Sequence, residues 1–130
     1  MYNSVTIVGY VGQDPELKFT PSGVEVATIS IATSEKRKDA QGNMQETTLW
    51  WRCTFWRQSG VSLAERAHKG MKLLVIGKFS APPRTYQDKQ GNWVASLEIT
   101  GETWRVVDWG DKGAAKDIDV SVENSEPIPF

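Results

Sequence analysis

Leu49-Trp50-Trp51-Arg52-Cys53-Thr54-Phe55-Trp56-Arg57 holds three of the six tryptophans of this 130-residue chain. Successive side chains of a β-strand point to opposite faces, so counting by twos sorts the segment into Trp50, Arg52, Thr54 and Trp56 on one side and Trp51, Cys53 and Phe55 on the other. The second face is wholly apolar and suits a core. The first sets an arginine and a threonine between two indoles, a poor pattern for a core but a good one for a solvated platform of flat π-surfaces beside a cation. Single-stranded nucleic acid fits such a platform, because every base has a face to stack and every nucleotide carries a phosphate.

Outward from this segment, valine, isoleucine, threonine and aromatics recur in short runs bounded by Gly, Pro, Asn and Asp, the signature of a small antiparallel β-domain. Strands are predicted at about 4–11, 17–19, 24–32, 46–56, 72–81 and 93–106. Thr20-Pro21-Ser22-Gly23 reads as a tight turn, and Asp39-Ala40-Gln41-Gly42-Asn43 and Asp88-Lys89-Gln90-Gly91-Asn92 as the tips of longer, polar, mobile hairpins. One helix is expected over 60–68, with Ser62 and Glu65 at capping-box spacing and Gly70 as its stop. Three strands, a helix and two more strands is the order of an OB-fold barrel, with Val5, Ile7, Val26, Thr28, Leu73, Val75, Leu97 and Ile99 pointing inward. The expected class is therefore all-β: a five-stranded OB-fold barrel with one short helix over residues 1–106, then a disordered acidic C-terminal tail over 107–130.

Composition is consistent with one domain. No apolar run approaches the roughly 18 residues of a membrane span, and the Met1-Tyr2-Asn3-Ser4 start lacks the regions of a signal peptide, so the chain is expected to stay where it is made. Cys53 is the only cysteine, which precludes an internal disulfide, and its place on the apolar face suits a buried thiol. Residues 1–106 carry 13 Lys and Arg against 10 Asp and Glu, whereas 107–130 carry 2 against 6. A body of net charge +3 is only mildly basic, so a nucleic-acid reading rests on where the charges sit. The tail ends in Glu126-Pro127-Ile128-Pro129-Phe130. An apolar terminus pre-extended by prolines is what a basic pocket with a hydrophobic floor could capture; a plain solvated end is the other reading, and both stay open on these residues.

Three segments carry a resemblance to a known family. Val8-Gly9-Tyr10-Val11-Gly12-Gln13-Asp14-Pro15-Glu16-Leu17, Ala27-Thr28-Ile29-Ser30-Ile31-Ala32-Thr33-Ser34-Glu35 and Ile76-Gly77-Lys78 resemble bacterial-type single-stranded-DNA-binding protein over about residues 1–106. The closing Ile128-Pro129-Phe130 resembles that family's partner-binding tip. The resemblance implies an OB fold assembled as a homotetramer, cytoplasmic and nucleoid-associated. It implies a protein that coats unwound DNA in replication, recombination and repair while Glu126–Phe130 recruits other proteins. It also matches Trp50 and Trp56 to two stacking aromatics, Tyr86 to a position usually held by tryptophan, and Arg37 to another. Arginine at that place would stack through its planar guanidinium and neutralise phosphate. The linker is shorter than is usual in the family, and its acids are diluted.

Each candidate has a simpler structural reading beside it. Trp50 and Trp56 would ordinarily be core, but Arg52 between them favours binding. Trp51 shares a face with Cys53 and Phe55 and is assigned to packing or a subunit interface. Tyr86 and Trp93 flank a hairpin turn, where a cross-strand aromatic pair is the plain alternative; both are placed among the stacking residues. Lys36, Arg37 and Lys38 at the root of one hairpin, and Arg84 and Lys89 on the other, would frame the strand bearing Arg52 and Arg57. Phosphate contact by Arg37, Arg52, Arg57, Arg84 and Lys89 gives a log-log salt slope of about −3.5 per chain. Trp104 and Trp109 have no assigned role. Catalysis is poorly supported: His68 is the only histidine and Cys53 the only thiol, at places expected to be far apart, and the ligands for a structural zinc are too few. Neither a metal nor a cofactor is expected. A replication-restart or RNA-binding OB module, and a carbohydrate-binding β-module using the same aromatic strip, remain as alternatives.

Overall fold

The alternation of the tryptophan segment is realised in the fourth strand. Cys53 and Phe55 are fully buried, while Arg52 and Trp56 are exposed. The structure, a computed structural model, describes residues 1–110; the last strand runs on through Val107 and Asp108, two residues into the expected tail, and the rest of that tail from 111, with its tip Glu126–Phe130, lies outside the described residues. The elements run β1 Val5–Val11, β2 Glu16–Phe19, β3 Glu25–Lys38, β4 Met44–Trp56, α1 Arg57–Arg66, β5 Lys72–Lys78, β6 Arg84–Gln87 and β7 Trp93–Asp108. Pairing follows β1-β5-β7-β4-β3, and β1 returns to β3 through Tyr10↔Ala32 and Val11↔Ile31, which closes a five-stranded barrel of the OB type. β2 adds to the edge of β3 and β6 to the edge of β7. β4 and β7 run parallel, with Trp51↔Leu97 through Thr54↔Thr100 in register.

Inside the barrel lie Ile7, Ile29, Ile31, Phe55, Leu73, Val75 and Ile99, each almost completely removed from water. The expectation held for Ile7, Leu73, Val75 and Ile99 but not for β3, where Ala27, Ile29 and Ile31 point inward and Val26 and Thr28 do not. The register explains the inversion. Ala27, Ile29 and Ile31 stand opposite Phe55, Cys53 and Trp51, so the apolar faces of the two strands coincide, and Thr28 and Ser30 fall opposite Thr54 and Arg52. Trp51 is half-buried, donates from Nε1 to Thr33 Oγ1 at 2.9 Å, and tilts against Phe79 with centroids 6.5 Å apart. Burial also pushes the Cys53 thiol up to about 12, as for an inert core residue.

The helix begins three residues before its expected start, at Arg57, with Trp56 as an extended N-cap and no side-chain cap. Ser62 therefore sits within the helix and makes no capping box, and the helix ends at Arg66, four residues before Gly70. Packing overrides the local signal: the early start turns Leu63 and Ala67 onto the open end of the barrel, where both are buried in the core. Gly60 meets the strand so closely that a Cβ would stand 2.5 Å from the Phe55 carbonyl oxygen.

Gly101 is confined by a side chain rather than by backbone, because a Cβ there would enter the Phe55 ring. Phe55 is fully buried and the ring cannot move aside. Gly101→Ala should lower the unfolding free energy by about 2 kcal/mol or more, read as a shift of the denaturant midpoint; an unchanged midpoint would show the interior to be looser than its burial indicates.

Candidate nucleic-acid interface

Residues paired across neighbouring strands share a face, so the outer face of β4 can be followed through the sheet. Trp50, Arg52, Thr54 and Trp56 lie beside Ala32, Ser30, Thr28 and Val26 of β3, and Arg52 and Thr54 beside Glu98 and Thr100 of β7. Through the β6–β7 register, Arg84 and Tyr86 join the same side, opposite Ser96 and Val94. Two clefts occupy this face. One of about 620 Å³ is lined by Trp50, Arg52, Tyr86, Asp88 and Ser96 among others; the second, of about 340 Å³, shares Arg52, Tyr86 and Ser96 and adds Arg84 and Glu98. Trp56 and Tyr86 remain 45% and 53% exposed, enough for a ring face to accept a ligand.

Trp93 is elsewhere. It pairs with Gln87 while Tyr86 pairs with Val94, so alternation points Trp93 to the opposite side of the hairpin, where it is 71% exposed. Lys36, Arg37 and Lys38 belong to β3 itself rather than to a loop, because β3 and β4 continue as a two-stranded ribbon to Lys38↔Met44. Lys36 and Lys38 follow the parity of Ser34 and Trp50, whereas Arg37 follows that of Thr33 and Leu49 on the other side. The two ribbon tips are built alike: Asp39 accepts the amides of Gln41 and Asn43, and Asp88 those of Gln90 and Asn92, all at 2.9 Å. These bonds hold the Asp39 carboxyl below its usual range, with the Asn43 amide contributing most. Lys89 sits on the second tip, exposed.

A carboxylate stands among the cations. Glu98 Oε2 accepts Arg84 Nη2 at 2.7 Å, Arg84 Nε at 3.2 Å and Ser96 Oγ at 2.8 Å. Arg84 foremost, then Ser96, hold the Glu98 carboxyl below its ordinary value, with a smaller pull from Arg52. Glu98 is thus ionised at neutral pH and occupies the guanidinium a phosphate would seek. The alternation of Ser96, Glu98 and Thr100 against Leu97 and Ile99 is the sequence signal that places Glu98 on this face.

A sequence model described as the single-strand binding protein family matches residues 2–107. The chain belongs to that family. Among its relatives, the single-stranded DNA-binding protein of Xylella fastidiosa is 38% identical over 95 residues, covering 73% of this chain and 58% of the relative. The chain thus spans little more than half the length of that relative. Single-stranded DNA-binding protein 4 of Streptococcus agalactiae is 29% identical over 133 residues, covering 98% of this chain and 94% of the relative. A chain of a Plasmodium falciparum SSB complex with ssDNA superposes with a TM-score of 0.62 at 24% identity, over 83% of this chain and 95% of that one. That last likeness is one of fold.

Within this family member, Arg57 is the backbone outlier: its φ of 60° makes it the one non-glycine residue at positive φ among the described residues. The left-handed region costs an L-residue about 1–2 kcal/mol, so the side chain is retained against a local penalty at the junction of Trp56 and α1. Arg57→Gly should raise the unfolding free energy by about 1 kcal/mol, measured by denaturant unfolding; a loss of stability would show that the arginine supports the fold.

Proposed function

We propose that this chain binds single-stranded DNA without strong sequence preference. The observation that carries the reading is the single outer face on which Trp50, Arg52, Trp56 and Tyr86 converge from β4 and β6. Bases stack on Trp50, Trp56 and Tyr86, and Arg52 and Arg57 meet phosphates along the strand. Lys36 and Lys38 extend the path onto the β3–β4 ribbon and Lys89 onto the other hairpin tip. Arg37 and Trp93, on the reverse sides of their hairpins, contribute only where the strand wraps around them.

Three stacked bases supply ~3–9 kcal/mol of gross contact energy per chain. Charge supplies less than a count of cations implies. Arg84 meets a phosphate only by leaving Glu98 unpaired, so Lys36, Lys38, Arg52, Arg57 and Lys89 set the slope, at about −3.5 rather than the about −4.2 that counting Arg84 would give. Neither stacking nor phosphate contact reads base edges, which accounts for tolerance of sequence. Tryptophan-quenching titrations with poly(dT) at two salt concentrations should give that slope. Joint Trp50→Ala and Trp56→Ala substitution should weaken oligo(dT) binding by well over tenfold. Near-normal binding by the folded double variant refutes the groove.

The same reading extends to the assembly. The chain works as a homotetramer over which DNA wraps, protects unwound strands in the cytoplasm and nucleoid during replication, recombination and repair, and recruits partner proteins through Glu126, Pro127, Ile128, Pro129 and Phe130. It binds its ligand without transforming it. Support comes from family membership and from the acidic Ile-Pro-Phe ending in the sequence. Removing Ile128–Phe130 should leave oligo(dT) affinity within about twofold while abolishing capture of a helicase or nuclease partner in a pull-down; loss of DNA binding instead would place the tip in the groove's own chemistry.

A further inference from the structure

Trp56 is where β4 stops but not where the outer surface stops. It forms the N-cap of α1, and the helix carries Ser59 and Arg66 into a cleft of about 460 Å³ shared with Glu102, Trp104 and Arg105 of β7 and with Trp109 just past it. Glu102 lies two residues past Thr100, the register partner of Thr54. The cleft therefore begins where the face of Trp50 and Trp56 ends.

Arg66 is its centre. The guanidinium carbon is 5.4 Å from the ring centroid of Trp104 and 5.6 Å from that of Trp109, within cation–π reach of both. Trp104 is partly buried against the core, which anchors one side of the stack, while Trp109 is 45% exposed. Among the described residues no carboxylate lies within 4 Å of Arg66. Arg105 is oriented by its own bond from Nη1 to the Trp104 carbonyl at 3.1 Å. Two arginines thus outweigh Glu102, and an open indole lies beside a fixed cation, the same pairing of chemistries that marks residues 49–57.

We infer that this cleft is a second subsite for single-stranded DNA, entered by the strand after it leaves Trp56. The inference rests on the reading of the groove as a DNA path. A base stacks on the open side of Trp109, and Arg66 and Arg105 neutralise the phosphates flanking it. Because two rings already hold Arg66 in place, little side-chain freedom is lost on binding. The subsite serves only DNA long enough to run past Trp56 and over the helix.

Length dependence is the test. Full-chain Trp109→Ala and Arg66→Gln variants are titrated with two oligo(dT) lengths, one near the lower end of the ~4–16 nucleotides that an OB domain covers and one of ~20. The longer strand should bind at least about fivefold more weakly than to the unsubstituted chain, the low end for one lost stack, and the shorter one should bind within about twofold. Equal losses at both lengths, or none at either, overturn the subsite. So does a changed sedimentation coefficient for Trp109→Ala, which makes the cleft a contact between copies of this chain. Should Arg66→Gln fail to fold, the half-exposed Trp109 carries the test alone. An unsubstituted chain that binds neither length refutes the groove itself, whereas Trp50→Ala weakening both lengths sustains the groove whatever Trp109 does.

Discussion

The ring of Phe55 lying against the bare backbone of Gly101 is the contact on which the arrangement of this protein depends. Phe55 is fully buried, and only glycine leaves room for it on β7. A slip of one residue would set a threonine or a glutamate against the ring, so the contact selects the parallel register that pairs Thr54 with Thr100. With Phe55 inward, strand alternation sends Arg52, Thr54 and Trp56 outward, and the register brings Ser96 and Glu98 beside them. The barrel interior and the candidate groove are two consequences of one packing decision.

The groove that results is not a uniformly basic trough. Glu98 ties up Arg84 through two guanidinium nitrogens and also accepts the Ser96 hydroxyl, so a phosphate arriving at Arg84 would have to replace an existing anion. In the proposed binding mode the larger share falls to the aromatic surfaces, which tolerate any base. Arg57 contributes a cation at the end of the strand, held at positive φ where glycine would be unstrained. Local penalties of this kind cluster where a side chain has work beyond the fold.

Much of this was legible in the residues themselves. The parity of Trp50 to Trp56, the burial of Cys53, the inward set Ile7, Leu73, Val75 and Ile99, and the two Asp-to-Asn hairpin tips all follow from local pattern. Val26 and Thr28 suggest one inward parity for β3, whereas Ala27, Ile29 and Ile31 form the stronger apolar series and are the residues that face the interior. The capping-box spacing of Ser62 and Glu65 misplaced the helix start, because the demand to bury Leu63 and Ala67 is set by the barrel mouth and not by the helix. Lys36 to Lys38 read as loop because charge obscures strand character, whereas the backbone ladder with β4 continues regardless of side chains. β6 was invisible: four exposed residues have no apolar alternation to show.

Sequence alone settled which residues share a strand face and where turns fall, since side-chain alternation and turn chemistry are properties of a few consecutive residues. Family kinship was equally readable from the segments around Gly9, Ile29 and Gly77. Tertiary structure decided which of two faces of β3 is inside, where α1 begins, that Arg84 is engaged by Glu98, and that Arg66 sits between Trp104 and Trp109. Each of these depends on a partner far along the chain, and only the closing of the barrel brings such partners within contact distance.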